Sequence, residues 1–254
     1  MNNLSIDQKT YFEEQWKIEQ IELKKKLILE NDFDWNINNG LKYIGGVDIS
    51  FIIGNEEDAC VGLVILAWPS LEIVYKSFKM VKLTLPYIPS FLAFREVDHI
   101  IELINELKMN DPDFLPQIIL VDGNGYLHPR GFGLACHLGV LTNIPTIGVS
   151  KNFYVMDGLA MHETKNKIVE HCKKKGEYYK LIGLSGTCWG AGLIMSDDNK
   201  RPLYISSGHR INLETAIDIV NHSCRYRMPE PIRQADLGSR DYLRNSFPGA
   251  KITD

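Results

Sequence analysis

The sequence predicts a mixed α/β fold in which helices cover both faces of a mixed central β-sheet. The first extended apolar runs follow one another through short turns, which is typical of hairpins. Later runs alternate with stretches of helical periodicity, which is typical of strands joined by crossover helices. The chain of 254 residues can bury one substantial core, and no Gly/Ser linker or repeat divides it. We therefore expect residues 1–254 to form a single domain.

The predicted elements follow in order along the chain. Ser5-Ile-Asp-Gln8 has the form of a capping box and predicts a helix over about 5–29, packed on the domain. A strand contains Asp48, and the extended runs 60–68 and 71–83 flank Pro69-Ser70 as a hairpin. The remaining predictions are a helix over 90–108, a strand at 118–122, a helix near 131–141, a strand at 146–150, strands over 180–195 and 203–206, and helices near 213–226 and 230–245.

Composition excludes several classes of protein. A hydrophobic fraction of 44% and a charged fraction of 24% are typical of globular chains, and no apolar stretch is long enough to span a bilayer. The N-terminus lacks the basic-then-apolar pattern of a signal peptide. The five cysteines are odd in number and widely spaced, which indicates reduced thiols and no zinc site. We expect a monomer in the cytoplasm, the nucleus (nucleolus included) or both.

The net charge of −4 argues against tight non-specific binding of nucleic acid, but it leaves room for a local basic surface. The C-terminal stretch carries five arginines: Arg225, Arg227, Arg233, Arg240 and Arg244. Two of them, Arg233 and Arg240, are also spaced to pair with Asp236 on a helix. Both interpretations, a binding surface and ordinary ion pairs, remain open at this level.

Three carboxylates occupy positions that are hard to explain without a bound partner. Asp48 interrupts the apolar strand at 44–51, and Asp122 closes the apolar strand at 118–122. Glu96 falls inside the apolar arc of the helix at 90–108, for which Ser90 is the expected N-cap. The opposite, polar face of that helix is formed by Arg95, Asp98, Glu102, Asn105 and Glu106.

Burying an unpaired carboxylate is costly, so such groups normally have a cation or hydrogen-bond donors beside them. Oxygen ligands supplied by separate elements suit a hard divalent ion, and Asp48, Glu96 and Asp122 are therefore the candidate ligands of Mg²⁺. The alternative for Glu96 is a carboxylate at the margin of the arc that reaches water or complements the helix dipole.

Residues 121–139 combine a strand, a glycine-rich turn and a predicted helix. The pattern fails as a dinucleotide-binding fingerprint, because His128 stands where a third glycine is required. Gly123 and Gly125 allow the backbone to approach a ligand closely, and plain turn geometry is the alternative.

Six ordered segments resemble endonuclease V, and they cover nearly the whole chain beyond the N-terminal helix. The segments are Gly46–Ser50, Pro86–Glu96, Asp122–Gly139, Ile147–Lys151, Ile205–His209 and Pro229–Arg240. The resemblance implies a ribonuclease H-like fold. It also implies cleavage of a nucleic-acid strand at the second phosphodiester bond 3′ of inosine, with Mg²⁺ or Mn²⁺, leaving a 5′-phosphate and a 3′-hydroxyl.

The resemblance further implies roles for individual residues. Asp48 and Asp122 would be direct metal ligands, Glu96 would complete the acidic cluster directly or through water, and Asp236 would be a fourth catalytic carboxylate. Lys151 and His209 would lie beside the scissile phosphate. The substrate-binding set would be Pro86, Tyr87, Ile88 and Pro89, with Tyr87 as a strand-parting wedge, and the backbone around Gly123 and Gly125, our candidates for the hypoxanthine pocket.

The motifs Gly-Asn-Gly and Arg-Gly-Phe-Gly are closer to the eukaryotic branch of the family, which prefers inosine in RNA. We therefore expect inosine-containing RNA as the partner, with deoxyinosine in DNA as the alternative. Two further hypotheses are another ribonuclease H-like metal-dependent nuclease without inosine preference, and a non-catalytic inosine-binding module.

Overall fold

The computed structural model describes residues 6–197 and 201–252, which contain six α-helices and eight strands. The helices are α1 (Ile6–Lys24), α2 (Leu92–Asn110), α3 (Leu134–Thr142), α4 (Met161–His171), α5 (Leu213–Ser223) and α6 (Glu230–Ser246). The strands are β1 (Tyr43–Ile52), β2 (Asn55–Ala67), β3 (Ile73–Lys82), β4 (Ile118–Asp122), β5 (Thr146–Ser150), β6 (Tyr178–Ile182), β7 (Cys188–Leu193) and β8 (Leu203–His209).

The strands pair in one sheet, in the order β3-β2-β1-β4-β5-β8-β7-β6. Strands β1, β4 and β5 are parallel to one another, and the remaining neighbours are antiparallel. The predicted hairpin around Pro69-Ser70 is confirmed as β2 and β3, and β2 also forms a hairpin with β1. The sheet is therefore mixed, as the sequence predicts.

Helices cover both faces of this sheet. One face of the central strands packs with residues of α5 and α6 in a cluster that includes Ile217 and Ile232. The other face packs with α2 and α3, through residues such as Ile100 and Leu138. The short central strands β4 and β5 are apolar at nearly every position because they are buried on both faces. The predicted fold class is confirmed. Among the described helices, none has the length and apolar character that crossing a bilayer requires.

Several predicted boundaries differ from the structure. The first helix ends at Lys24 and not near residue 29, because the next backbone bonds run from Lys25 to Glu22 and from Leu27 to Lys24, a three-residue spacing that turns the chain. Ser5 of the predicted capping box lies outside the described residues. Helix α4 is absent from the sequence-based prediction, and only two of its residues, Thr164 and Ile168, are buried, so its periodicity is weak.

The start of α2 also differs from the prediction. Ser90 is not the N-cap: it has a left-handed φ of 67°, Phe91 occupies the cap position, and the Ser90 hydroxyl accepts a hydrogen bond from Arg130 Nη2 at 2.9 Å. The periodicity places Arg95 on the polar face, but this side chain is only 8% exposed. Glu96 is 5% exposed, in agreement with its position in the apolar arc.

Candidate active site

Asp48 and Asp122 lie side by side on neighbouring parallel strands. In the register of β1 and β4, Val47 pairs with Val121, and each aspartate is the next residue along its strand. Side chains alternate between the two faces of a strand, so both aspartates point to the face covered by α6. Neighbouring strands are about 4.8 Å apart. The sheet itself therefore brings two carboxylates together at the carboxyl end of its parallel strands.

Asp236 approaches the two aspartates from α6. This helix lies directly on β1, and Gly46 makes that contact possible, because a Cβ at this position would collide with the backbone of Pro231. The close approach places Asp236 within electrostatic range of both Asp48 and Asp122.

Glu96 completes the group from the opposite face of the sheet, near the beginning of α2. Its carboxylate is within electrostatic range of Asp48 and Asp122. Four carboxylates from β1, β4, α2 and α6 thus converge at the carboxyl end of the central parallel strands. Together, Asp48, Glu96, Asp122 and Asp236 form the carboxylate cluster.

The carboxylate cluster holds more negative charge than its surroundings neutralise. Burial, together with repulsion from Asp122 and Asp236, raises the pKa of Asp48 to about 7. Burial and repulsion from Asp48 raise the pKa of Glu96 to about 8, although Arg95 acts in the opposite direction. Burial also raises the pKa of Asp122. Each shift has the sign expected when an ionised carboxylate lacks sufficient compensating charge.

Two serine hydroxyls contact Asp48. Ser50 Oγ lies 3.3 Å and Ser239 Oγ lies 3.4 Å from Asp48 Oδ2, and the two hydroxyl oxygens are 2.7 Å apart. The sequence analysis missed both residues. Their spacing carried a signal, however, because Ser50 is two residues from Asp48 on a strand and Ser239 is three residues from Asp236 on a helix.

Two cations lie beside the cluster. Lys151 directly follows β5, two residues beyond Val149, which pairs with Asp122, and its charge favours the ionised forms of Asp48 and Asp122. Arg240 makes a bidentate ion pair with Asp236, as its helical spacing predicts. One cluster member is therefore paired internally, whereas Asp48, Glu96 and Asp122 have raised pKa values.

The C-terminal arginines are engaged within the protein. Arg233 pairs with Glu230 and not with Asp236, so its predicted partner was wrong. The other contacts are from Arg225 to the Ser70 carbonyl, from Arg227 to the Arg201 and Pro202 carbonyls, and from Arg244 to Asp241. These contacts favour the interpretation of the arginines as internal partners.

The donor set of the cluster fits a hard divalent cation. Its members supply carboxylate oxygens, which Mg²⁺ and Mn²⁺ prefer, and a cation would offset the repulsion that raises their pKa values. Within the described residues, no group of three or more His, Cys, Asp or Glu side chains is already arranged as a set of metal ligands. Asp48, Glu96 and Asp122 are the residues that could hold such an ion.

His209 does not join the cluster. It pairs with Thr146 at the first residue of β5, whereas Lys151 follows the last residue of that strand. The two positions are separated along β5 by roughly 13 Å or more, at about 3.3 Å per residue. His209 is 3% exposed, and its Nδ1 accepts a hydrogen bond from the Ile28 N–H at 3.3 Å. The location of His209 beside the scissile phosphate stays a prediction, which its distance from Lys151 does not favour.

The segment Pro86–Pro89 leads into α2 beside the cluster. Tyr87 is 53% exposed, and its hydroxyl lies near that of Tyr154. Burial and the contact with Tyr154 raise the pKa of Tyr87. Pro89 is exposed and Pro86 half-buried. Ile88, in contrast, is 2% exposed and packs in an apolar cluster with Trp16. The side chain of Ile88 therefore anchors the segment, and the assignment of Ile88 to the substrate-binding set stays a prediction.

A small cavity opens behind this segment. Gly123 lies on its wall, together with residues that the sequence analysis did not assign to a pocket. These include Ser90, Leu92, Asn124, His128 and Tyr154. Gly125 is buried elsewhere, against β8, where its N–H donates to Ser206 Oγ at 2.9 Å and its carbonyl accepts from the Gly133 N–H. Gly125 does not line this cavity, and its assignment to a base pocket stays a prediction.

Comparison with known proteins places this arrangement in a family. The family model described as Endonuclease V matches residues 21–237. Endonuclease V of Mus musculus is 47% identical over 91% of this chain and 70% of its own length. The crystal structure of the catalytic domain of human endonuclease V superposes with a TM-score of 0.89, at 44% identity, over 93% of this chain and 97% of that one.

A third relative was solved with nucleic acid. A variant of Ciona intestinalis endonuclease V, in complex with a DNA 23-mer containing an inosine followed by a ribo-adenosine, superposes with a TM-score of 0.88. It is 34% identical over 96% of this chain and 100% of that chain. The fold is therefore ribonuclease H-like, and the chain belongs to the endonuclease V family of nucleases.

Proposed function

We propose that the protein is a divalent-metal-dependent endonuclease that cleaves a nucleic-acid strand, preferably single-stranded RNA, at the second phosphodiester bond 3′ of inosine. The observation that supports it most strongly is the carboxylate cluster, in which burial and mutual repulsion raise the pKa values of Asp48 and Glu96. A structural ion pair has the opposite effect on a carboxylate. The cluster therefore has the electrostatic character of a cation site.

In the proposed mechanism, Asp48 and Asp122 hold Mg²⁺ or Mn²⁺, and Glu96 completes the site directly or through water. A divalent ion at such a site supplies positive charge beside the phosphate and makes water more acidic. Lys151, which directly follows β5, contributes a fixed cation that holds a phosphate oxygen. Asp236 is oriented by its ion pair with Arg240. The products carry a 5′-phosphate and a 3′-hydroxyl.

Recognition of inosine is assigned to the cavity beside Gly123. Enzymes that act at an unusual base commonly turn it out of the stack and bind it in a pocket. Glycine at position 123 leaves the backbone accessible, and Leu92 and Leu134 supply apolar walls. Tyr87 stands at the mouth of this region, half-exposed, so its ring can stack where the base has left.

RNA and DNA are both candidate substrates, and cleavage assays can distinguish them. The complex of the Ciona intestinalis relative, whose DNA contains an inosine followed by a ribo-adenosine, supports inosine recognition and is compatible with a ribose at the next position. Deoxyinosine-directed cleavage of DNA is the second candidate, and the same complex supports it because the strand is otherwise DNA.

The test is cleavage of matched single-stranded RNA and DNA oligonucleotides, each with and without one inosine, in the presence of Mg²⁺. We expect the inosine RNA to be cut fastest, at the second bond 3′ of inosine, with a 5′-phosphate and a 3′-hydroxyl at the new ends. Equal cleavage of strands with and without inosine would contradict inosine recognition. Faster cleavage of the deoxyinosine strand would favour the DNA candidate.

A further inference from the structure

A second, larger depression lies on the other side of the first turn of α2. This depression, the hairpin groove, has a volume of about 490 Å³. Its apolar walls come from the turn between β1 and β2 and from the start of α2: Phe51, Ile52, Ile53, Tyr87 and Leu92. Glu96, a member of the carboxylate cluster, lines one side. The groove is therefore continuous with the candidate active site.

The wall of the hairpin groove is fixed in place. The Ile53 N–H donates to the Lys251 carbonyl at 2.7 Å, and Ile52 forms a bridge with Ile252, so the C-terminal segment pairs with the hairpin. Ile53 is nevertheless 59% exposed. An apolar side chain that is held in position and left open to solvent beside an active site is suited to contact a ligand.

The order of the β-strands places three features in a line along the end of the sheet where β1, β4 and β5 have their carboxyl ends. The cavity beside Gly123 lies at the ends of β4 and β5, the carboxylate cluster lies at β1 and β4, and the hairpin groove lies at the turn between β1 and β2. A nucleic-acid strand whose inosine occupies the cavity and whose backbone crosses the carboxylate cluster continues into the hairpin groove. Since the proposed cut is 3′ of inosine, the groove receives the part of the strand that lies 3′ of the cut.

The spacing favours an unstacked conformation of this part of the nucleic-acid strand. Two strand spacings, from β5 to β1, amount to roughly 10 Å. Two nucleotides of a regular stacked strand advance only about 7 Å. A base that leaves the stack exposes its apolar faces to water, and an aromatic or apolar groove compensates for that exposure.

We propose that the hairpin groove binds the base of the second nucleotide 3′ of inosine, the nucleotide that begins the downstream product, in an unstacked conformation against Tyr87 and the exposed side chain of Ile53. This inference rests on the proposed function and adds a downstream subsite to it. The hydroxyl contact between Tyr87 and Tyr154, which lines the cavity beside Gly123, makes Tyr87 a partition between the two subsites. The contacts that we assign to the base, Tyr87 and Ile53, are aromatic and apolar and do not distinguish the four bases, whereas Arg95 and Glu96 supply charge elsewhere on the lining.

The experiment uses single-stranded inosine oligonucleotides in which one nucleotide at a time lacks its base. For the wild-type protein, removal of the base from the second nucleotide 3′ of inosine should lower kcat/KM by about ten-fold, in the range of base stacking on aromatic side chains. Removal of a base two positions further downstream should have little effect.

The variant Ile53→Ser tests the groove itself. It should cleave the intact strand more slowly, and the effect of the missing base should shrink from about ten-fold to about three-fold, because the two changes remove the same contact. Ile182→Ser is the matched control, since Ile182 is 56% exposed on β6 at the other edge of the sheet. This control should retain the full effect of the missing base.

Binding of the same strands without divalent metal, measured by fluorescence anisotropy, provides a readout independent of cleavage. The downstream subsite would be overturned if the intact inosine strand is cut normally and removal of the base has no effect on the wild-type protein. It would also be overturned if removal of the base has the same effect on the wild-type protein and on Ile53→Ser. Both outcomes would leave the proposed function standing. A wild-type protein that leaves the intact inosine strand uncut would overturn the proposed function, and this inference with it.

Discussion

The buried carboxylates of this protein are of two kinds, whose pKa values are shifted in opposite directions. Glu230, 2% exposed at the start of α6, accepts hydrogen bonds from Arg233 at 2.6 and 2.9 Å and from Gln234 at 2.6 Å, and the bonds from Arg233 are the main cause of its lowered pKa. Burial raises the pKa of Asp48 and of Glu96 to about 7 and about 8. The comparison teaches that burial alone does not mark a site. The carboxylates that mark it are those whose charge the protein leaves uncompensated.

The largest expected difference between the two sets concerns cleavage. Asp48→Asn and Asp122→Asn should each lower kcat for an inosine strand by at least about 100-fold, the upper range for residues that merely support a metal site. Glu230→Gln should leave kcat nearly unchanged, because Glu230 contacts Arg233 and Gln234 and not the cluster. Rates measured at saturating Mg²⁺ would decide. Wild-type turnover in both aspartate variants would refute the assignment of the cluster as the metal site.

Two exposed tyrosines, one beside the carboxylate cluster and one far from it, allow a similar comparison. Tyr87, 53% exposed beside the cluster, and Tyr178, 43% exposed on β6, present similar surfaces to solvent. Tyr87→Ala should weaken binding of an inosine strand by about ten-fold, since stacking on one base is worth roughly 1–3 kcal/mol. Tyr178→Ala should not change binding. Equal dissociation constants for the two variants, measured without metal, would remove Tyr87 from the substrate contacts.

The dependence of stability on pH provides a smaller but independent test. The unfolded chain releases the protons of Asp48 and Glu96 near pH 4, whereas the folded protein keeps them up to about pH 7 and about pH 8. Between these values the folded state binds the protons of these two groups more tightly, so their contribution to the free energy of unfolding of the metal-free protein should have a negative slope from about pH 4 to about pH 8. Asp48→Asn should flatten this slope, because it removes one of the titrating groups.

A bound divalent metal ion should restore the stability that the metal-free protein loses when Asp48 and Glu96 are deprotonated. A metal ion competes with protons for the same oxygens, so Mg²⁺ should raise Tm more at about pH 8 than at about pH 5.5. A gain of 1 kcal/mol corresponds to about 2–4 °C in a protein of this size. Glu230→Gln should lower Tm but keep the shift with Mg²⁺. Thermal unfolding at both pH values checks this, and an equal shift in Asp48→Asn/Asp122→Asn would contradict the site.

Much of the fold could be predicted because its signals are local. The segment that forms β4 is apolar up to Asp122, and the helical periodicity of α2 is sufficient by itself to place Glu96 among buried residues. Helix α4 escaped prediction because it rests on the sheet through few apolar side chains. Arg95 was misplaced because helical periodicity alone assigns it to the polar face, whereas the folded chain leaves it only 8% exposed.

The site was predictable to the extent that its residues stand out as charges in apolar surroundings. Asp48, Glu96 and Asp122 do so, and the structure brings them together. Tyr154 and His128, which line the cavity beside Gly123, lie in loops whose course depends on long-range packing, so no sequence pattern indicates them. The burial of Ile88 and Gly125 was not predicted for a related reason: a motif shows which residues are adjacent in sequence, but not which of them point to the core.

The smallest expected effect separates the two ends of β5. Lys151 follows its last residue and lies beside Asp122, whereas His209 pairs with its first residue and accepts a hydrogen bond from the Ile28 N–H. His209→Asn keeps an acceptor for that N–H, so kcat should stay within about twofold of the wild type, whereas Lys151→Ala should lower it clearly. His209→Ala should lower the free energy of unfolding by about 1 kcal/mol, because it removes the acceptor. A His209→Asn variant with wild-type thermal unfolding and no cleavage would show that the substrate path extends across the sheet, which the distance along β5 opposes.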